Sequence, residues 1–230
     1  MLLYRYQPIN KFALENLILK KNWASSVKYF NDPFEFSLRS NITLTQEGKI
    51  EYITPAMNDI REGIHDHINK LGVVSYSAEE YNSLLWSHYS NNHKGMCLVF
   101  EIKEEQKAEL FKVSYENEIP KLDFKEDEDL KEILITKSTV WRYENEYRQI
   151  FRGSEKHYIY PGELVEIIFG CQTTSKDIEV IFKIIESTYE SQMTVSKMFI
   201  QQDTFLLGKS SFGYKKESQV PKWWDGKIIK

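Results

Sequence analysis

The run Gly95-Met96-Cys97-Leu98-Val99-Phe100-Glu101-Ile102 is the most continuous apolar stretch of the chain. It carries a single charge and has no polar face to turn to water, so it reads as a strand central in a sheet. Further strand-like segments fall at residues 2–6, 22–27, 73–77, 111–115, 164–169 and 196–207, the last long enough for two strands. Apolar residues at helical spacing mark 11–20, 82–92 (or from 79) and 175–189. Residues 55–71 and 130–139 also read as helices, with a short one over 104–110. Asn10 is placed to cap the first helix and Gly72 to end the second.

Strands and helices mix without strict alternation, which predicts an α+β fold rather than a doubly wound sheet. The 230 residues allow one large domain or two small ones. No repeat, low-complexity tract or linker divides them. The expectation is a single α+β domain over 1–209, with a largely antiparallel mixed sheet and flanking helices. A polar tail follows over 210–230. Between the elements, 30–35 reads as a turn anchored by two phenylalanines and 36–45 as extended. An acidic loop is expected over 120–129, and a hairpin-like or disordered loop over 153–162.

A net charge of -4 and a pI near 5.8 give no overall basic field for nucleic acid, although a local patch stays open. Cys97 and Cys171 lie far apart in apolar runs, as buried thiols of a reducing compartment do. The chain starts on a strand pattern rather than a basic-then-apolar leader, and no apolar run reaches the length of a membrane span. The expectation is a cytoplasmic protein without membrane contact. Aromatics make up 14% of the chain, enough to wall a pocket for a flat ligand as well as to fill a core.

The stretch Trp141-Arg142-Tyr143-Glu144-Asn145-Glu146-Tyr147-Arg148 holds the chemistry of most interest. As a strand, it sets Glu144, Glu146 and Arg148 on one face. Two carboxylates on one face need a cation, a ligand or water between them, or a retained proton. They are either a charged outer face neutralised by Arg142 and Arg148, or a candidate catalytic pair. Arg5, between Tyr4 and Tyr6, is either a surface ion-pair partner or a ligand for phosphate or carboxylate. Ser75 and Ser77 flank Tyr76, as a packed strand end or as a small hydrogen-bonding floor. On the helix that follows, Trp86 and Tyr89 share one face. His65 and His67 diverge and neither cysteine has a partner at ligand spacing, so no metal site is expected. The chain has neither a glycine-rich phosphate loop nor a Gly-x-Ser-x-Gly elbow, which argues against a serine hydrolase.

Residues 30–35, Ser75-Tyr76-Ser77, Trp86 to Gly95, Tyr143 to Arg148 and Ile168-Phe169-Gly170 together resemble a bacterial family called domain of unknown function 2971. The order of Arg5, Ser75-x-Ser77 and Glu144-x-Glu146 is more distantly similar to the Arg–Ser–Glu layout of mono-ADP-ribosyltransferases. That second resemblance implies a split sheet with nicotinamide adenine dinucleotide (NAD) bound between its halves, without a glycine loop. Arg5 would hold phosphates or ribose, and Ser75 and Ser77 would support the nicotinamide ribose. Tyr76, Trp86 or Tyr89 would wall the nicotinamide ring. Glu146 would be the catalytic carboxylate, and Glu144 would help receive the acceptor. The implied activity is transfer of ADP-ribose to a protein or nucleic acid, or hydrolysis of NAD. In a bacterium it further implies a toxin or anti-phage effector with an antitoxin or immunity partner.

Two other readings stand beside this one. A non-enzymatic defence module that binds nucleic acid or protein predicts one basic patch of Lys137, Arg142, Arg148, Arg152 and Lys156. A hydrolase would use Glu144 and Glu146 as an acid/base pair.

Overall fold

The computed structural model describes residues 1–37, 43, 44, 50, 51, 55–120, 127–190 and 193–214. In chain order the first half contains β1 (Leu2–Gln7), α1 (Lys11–Leu19), β2 (Lys21–Ser26), β3 (Thr43–Leu44), β4 (Ile50–Glu51), α2 (Pro55–Asn69), β5 (Gly72–Ser77), α3 (Ser83–Tyr89) and β6 (Met96–Glu101). The second half adds β7 (Phe111–Lys112), β8 (Ser114–Glu116), α4 (Asp127–Ile135), β9 (Thr136–Ser138), β10 (Glu146–Phe151), β11 (Lys156–Ile159), β12 (Glu163–Phe169), α5 (Ser175–Thr188), β13 (Met193–Ile200) and β14 (Leu207–Tyr214). Short 3-10 segments lie at Val27–Tyr29, Glu104–Glu109 and Thr139–Glu144.

Helix starts follow the local chemistry. The Asn10 side chain accepts from the backbone N–H of Ala13 and Asn82 from that of Leu84, which satisfies donors left open at each first turn. Thr174 does the same for α5 by accepting from Asp177.

The main sheet runs β11-β2-β5-β1-β6-β12-β13-β14, with β10 on β5 and β7 on β10. Its pairings are antiparallel except β12 with β13. The fold is thus α+β with a largely antiparallel sheet, as expected. The apolar run is its middle: β6 pairs with β1 on one edge and β12 on the other. Met96, Leu98 and Phe100 face a core closed by Ala13 and Leu17 of α1 and Ile178, Ile181 and Ile185 of α5. Cys97 and Val99 point to the other face, against Trp86 of α3 and Tyr4. Alternate side chains are therefore buried on opposite faces, which explains the absence of a polar register. A third core joins Ile68 of α2 and Ile133 and Leu134 of α4 to Val73.

Several expectations need correction. Residues 130–139 are not one helix: α4 ends at Ile135, β9 pairs with β8, and a 3-10 segment follows. Extended structure begins only at Glu146, because Asn145 takes a left-handed conformation (φ 44°) that turns the chain. The 153–162 segment is not simply a loop; it holds β11, which pairs with β2. Gly72 does not cap α2 but opens β5, where a Cβ would lie 2.3 Å from the Gly153 carbonyl oxygen. Strand β14 crosses the boundary expected at 210. Residues 215–230 of the tail, 121–126 of the acidic loop and most of 38–49 lie outside the described residues.

Phe100 is fully buried, with ring contacts to Tyr76 and Tyr160, whereas Phe205 is wholly exposed. In urea denaturation, Phe100→Ala is expected to cost about 3–5 kcal/mol. Phe205→Ala is expected to stay within about 0.5 kcal/mol of wild type.

Candidate functional site

Strand β5 is paired along its full length with β10, from Gly72 opposite Phe151 to Ser77 opposite Glu146. Its other edge is shared. Val73 and Gly72 pair with Ser25 and Ser26 of β2, and Ser77 pairs with Tyr4 of β1. Between these contacts β1 and β2 part, and Val74, Ser75 and Tyr76 have no ladder partner on that edge among the described residues. Buried main-chain groups require partners, so a gap in a sheet is a place where a ligand or water completes the hydrogen bonding. A cleft of about 400 Å³ opens at this gap, lined by Arg5, Ser75, Ser77, Tyr89, Glu144 and Glu146 among others. That volume lies within the range of small-ligand sites, roughly 300–1,000 Å³.

The cleft floor is a buried ion cluster. The Lys137 ammonium donates to Glu144 Oε2 (2.6 Å) and Glu146 Oε2 (3.2 Å), and also pairs with Glu35 Oε1 (2.7 Å). The Arg148 guanidinium grips Glu146 with two bonds, Nε to Oε1 (2.8 Å) and Nη2 to Oε2 (2.9 Å). It also donates to the Leu134 carbonyl (2.7 Å) and to Glu35 (3.1 Å). Three acids meet two cations here, which leaves one negative charge in excess.

The environments of the two candidate acids separate them. Burial alone would raise the Glu146 carboxyl, but Arg148 and Lys137 outweigh it and hold the pKa down at about 2. Glu144 is raised, because burial and the Glu146 charge outweigh its bonds from Lys137 and the Tyr89 hydroxyl (2.5 Å). The two carboxyls are thus pushed in opposite directions, Glu146 toward its ionised form and Glu144 toward its protonated one, an arrangement suited to a division of labour between carboxylates.

Arg5 marks the other end. Its Nη2 donates to the Trp23 carbonyl of β2 (3.1 Å), so the side chain spans the gap between β1 and β2. Its Nη1 is buried without a hydrogen-bond partner, and no carboxylate pairs with the guanidinium among the described residues. Burial lowers its pKa, with only the neighbouring Tyr76 and Tyr160 hydroxyls acting in its favour. A buried cation without an anion is costly. An anionic ligand would relieve it.

Of the residues expected at the site, Arg5, Ser75, Tyr76, Ser77, Tyr89, Glu144 and Glu146 all line the cleft. The Ser77 hydroxyl is already engaged with the Glu144 carbonyl and the Glu79 N–H, so it braces the acid loop. Tyr76 reaches Asn22 and Gln149 through its hydroxyl. Trp86 lies outside the lining: its ring is fully buried, edge-on to Tyr6, with the indole N–H on the Glu80 carbonyl. The expected counter-ion Arg142 is turned away, toward the Tyr115 carbonyl. Lys137 takes its place, and no local pattern in the sequence marks it. The anchor phenylalanines flagged the 30–35 turn, but not that Glu35 would reach the cluster. Lys137 and Arg148 are buried among acids, so the basic patch required by the non-enzymatic reading does not form. Among the described residues no group of three or more His, Cys, Asp or Glu side chains is placed to hold a metal ion. No described helix is long and apolar enough to cross a membrane.

Removing one member of this cluster strands the others in a dry interior. Arg148→Met is expected to cost about 3–5 kcal/mol by urea denaturation. Lys11→Met, in an exposed pair with Glu15 at 3.7 Å, is expected to cost at most about 0.5 kcal/mol. The Glu146 carboxyl is held below its usual value of roughly 4.3. Its contribution to stability is thus present above that pH and lost as pH falls toward 2. Acid titration of wild type and Glu146→Gln checks this sign: the variant is expected to lose less stability between those pH values.

A family model described as Protein of unknown function (DUF2971) matches residues 85–149. No curated protein and no solved structure matches the chain. The matched segment runs from α3 through the central strand to β10 and includes Tyr89, Lys137, Glu144, Glu146 and Arg148. Over that stretch the chain is similar to the DUF2971 family.

Proposed function

We propose that the cleft binds NAD and that the protein is an ADP-ribosyltransferase-like enzyme. Its product would be an ADP-ribosylated macromolecule or, with water as acceptor, free ADP-ribose. The observation that carries this reading is the cleft's two unlike ends. A buried cation with an unpartnered donor stands at one end, and a cluster with one surplus negative charge at the other. The ligand complementary to both is anionic in one part and cationic in another, as a diphosphate joined to a pyridinium ring is.

When bound, NAD supplies an activated glycosidic bond whose electron pair leaves with neutral nicotinamide as the acceptor's lone pair bonds to the ribose carbon. Arg5 serves the phosphates, since its guanidinium lines the cleft, pairs with no carboxylate among the described residues and has an Nη1 without a hydrogen-bond partner. Glu146 remains an anion, and its field stabilises positive charge developing on the ribose. Ser75, whose hydroxyl bonds Glu146, keeps that carboxylate aligned. Glu144 takes the acceptor's proton, for which a raised pKa is an advantage at neutral pH. Tyr89 and Lys137 hold it in place.

Calorimetric titration of NAD tests the reading. Wild type is expected to bind at millimolar concentration or tighter. Arg5→Ala is expected to weaken binding at least about tenfold, the worth of a charged hydrogen bond. Glu144→Gln, which removes the cluster's surplus charge, is expected to weaken binding only a few-fold, while nicotinamide release at saturating NAD slows about 100-fold or more. Wild-type turnover is expected to rise with pH through the raised Glu144 pKa, and this limb disappears in Glu144→Gln. Absence of binding by wild type at millimolar NAD contradicts the proposal.

A further inference from the structure

Asn145 stands between the two acids, and its left-handed conformation gives the segment two sides. Glu144 and Glu146 enter the cleft, while Asn145 lines a second, more open pocket with Lys112, Tyr115, Arg142 and Tyr143. Hydrogen bonds tie the wall of that pocket together. Asn82 donates to the Tyr143 carbonyl (3.0 Å), Asn145 donates to Glu79 Oε1 (3.0 Å), and the Ala78 N–H meets the Asn145 carbonyl (3.1 Å). Its one acid, Glu79, is the group held by Asn145.

Its two cations are differently placed. Lys112 and Arg142 are both exposed, and no carboxylate pairs with either among the described residues. Arg142 makes only a long bond to the Tyr115 carbonyl (3.4 Å), and Lys112 lies over the Tyr147 ring at 5.9 Å. Aromatic rings connect this pocket to the cleft. Tyr143 of the second pocket neighbours Trp141 (6.0 Å) and His88 (6.5 Å), and His88 also lines the cleft.

We infer that the second pocket and this aromatic rim dock single-stranded nucleic acid. Resting on the transfer reading above, the bound strand is the acceptor of ADP-ribose. Exposed cations without a carboxylate partner, beside a cluster of tilted aromatic rings, supply the two elements that hold single strands: phosphates take the cations and bases pack on the rings. A duplex hides its base faces and gains nothing from the rim. A protein acceptor would need no row of rings leading from the cations to the acids. The net charge of -4 supplies no long-range attraction, so the affinity is local to this pocket.

Fluorescence anisotropy with labelled 12-residue DNA and RNA single strands, and a blunt duplex, tests the inference at low salt and without NAD. Both single strands are expected to bind, whichever sugar they carry, and the duplex at least fivefold more weakly. Lys112→Glu and Arg142→Glu, both at exposed positions, are expected to weaken binding about tenfold each with melting temperature unchanged. Their combination is expected to flatten the log–log salt dependence by about 1.4, the value for two lost phosphate contacts. Trp141→Ala is expected to weaken binding several-fold without changing the salt slope. Failure of single strands to bind, or binding indifferent to the charge reversals, overturns the inference. NAD titration of the same charge-reversal variants separates the two claims, because neither residue lines the cleft. Retained NAD binding without strand binding sinks only the acceptor assignment. Strand binding without NAD binding supports the dock and sinks the transfer.

Discussion

Lys137 is the constraint on which the site depends. Its ammonium has three protons and meets three carboxylates, which come from the 30–35 turn, the 3-10 segment before β10, and β10 itself. Bringing three acids together in a dry interior is prohibitive unless cations are fixed among them. Lys137 and Arg148 supply that charge, and Arg148 is anchored in turn on the Leu134 carbonyl at the end of α4. The cluster therefore joins five parts of the chain, the 30–35 turn, α4, β9, the 3-10 segment and β10, and determines where Glu144 and Glu146 point. Its cations fall one short of its acids. The remaining charge falls on Glu144, which is held by one ammonium and one phenol rather than by a guanidinium fork.

The cleft beside this cluster is a consequence of sheet topology. β5 meets β2 at one end of this edge and β1 at the other, and their separation leaves its middle residues without a ladder partner there among the described residues. Arg5 bridges the gap with one nitrogen and leaves the other unsatisfied. A desolvated guanidinium without an acid gains nothing for stability. The cluster and Arg5 are thus opposite cases: the first is nearly neutralised by its own chain, and the second has no carboxylate partner among the described residues.

The central strand was legible because burial on both faces leaves an unmistakable run, as at 95–102. Helix starts were legible where a cap acted locally, as at Asn10 and Asn82. Six cleft residues were legible because residue type and spacing carried the signal: an arginine between tyrosines, two serines around a tyrosine, two glutamates two apart. What failed was long-range. Residues 130–139 have helical character, but β9 forms because β8 is there to pair with it. β11 likewise exists because of β2. Asn145 interrupts what a period-two pattern reads as one strand, yet its turn still delivers Glu144 to the same place as Glu146. Trp86 had the right chemistry for a cleft wall and the wrong side of its helix, a distinction that depends on the sheet beneath it. Lys137 is an ordinary lysine until the fold surrounds it with acids.

The measurement that bears most directly on this account is a crystal structure of the protein with ADP-ribose, which carries the diphosphate without the reactive bond. The account predicts the diphosphate within hydrogen-bond distance of Arg5 Nη1, the ribose beside Glu146, and the Lys137–Arg148 cluster unchanged. Ligand bound elsewhere, or an Arg5 guanidinium paired to a carboxylate of its own chain with the gap beside β5 closed, would contradict it.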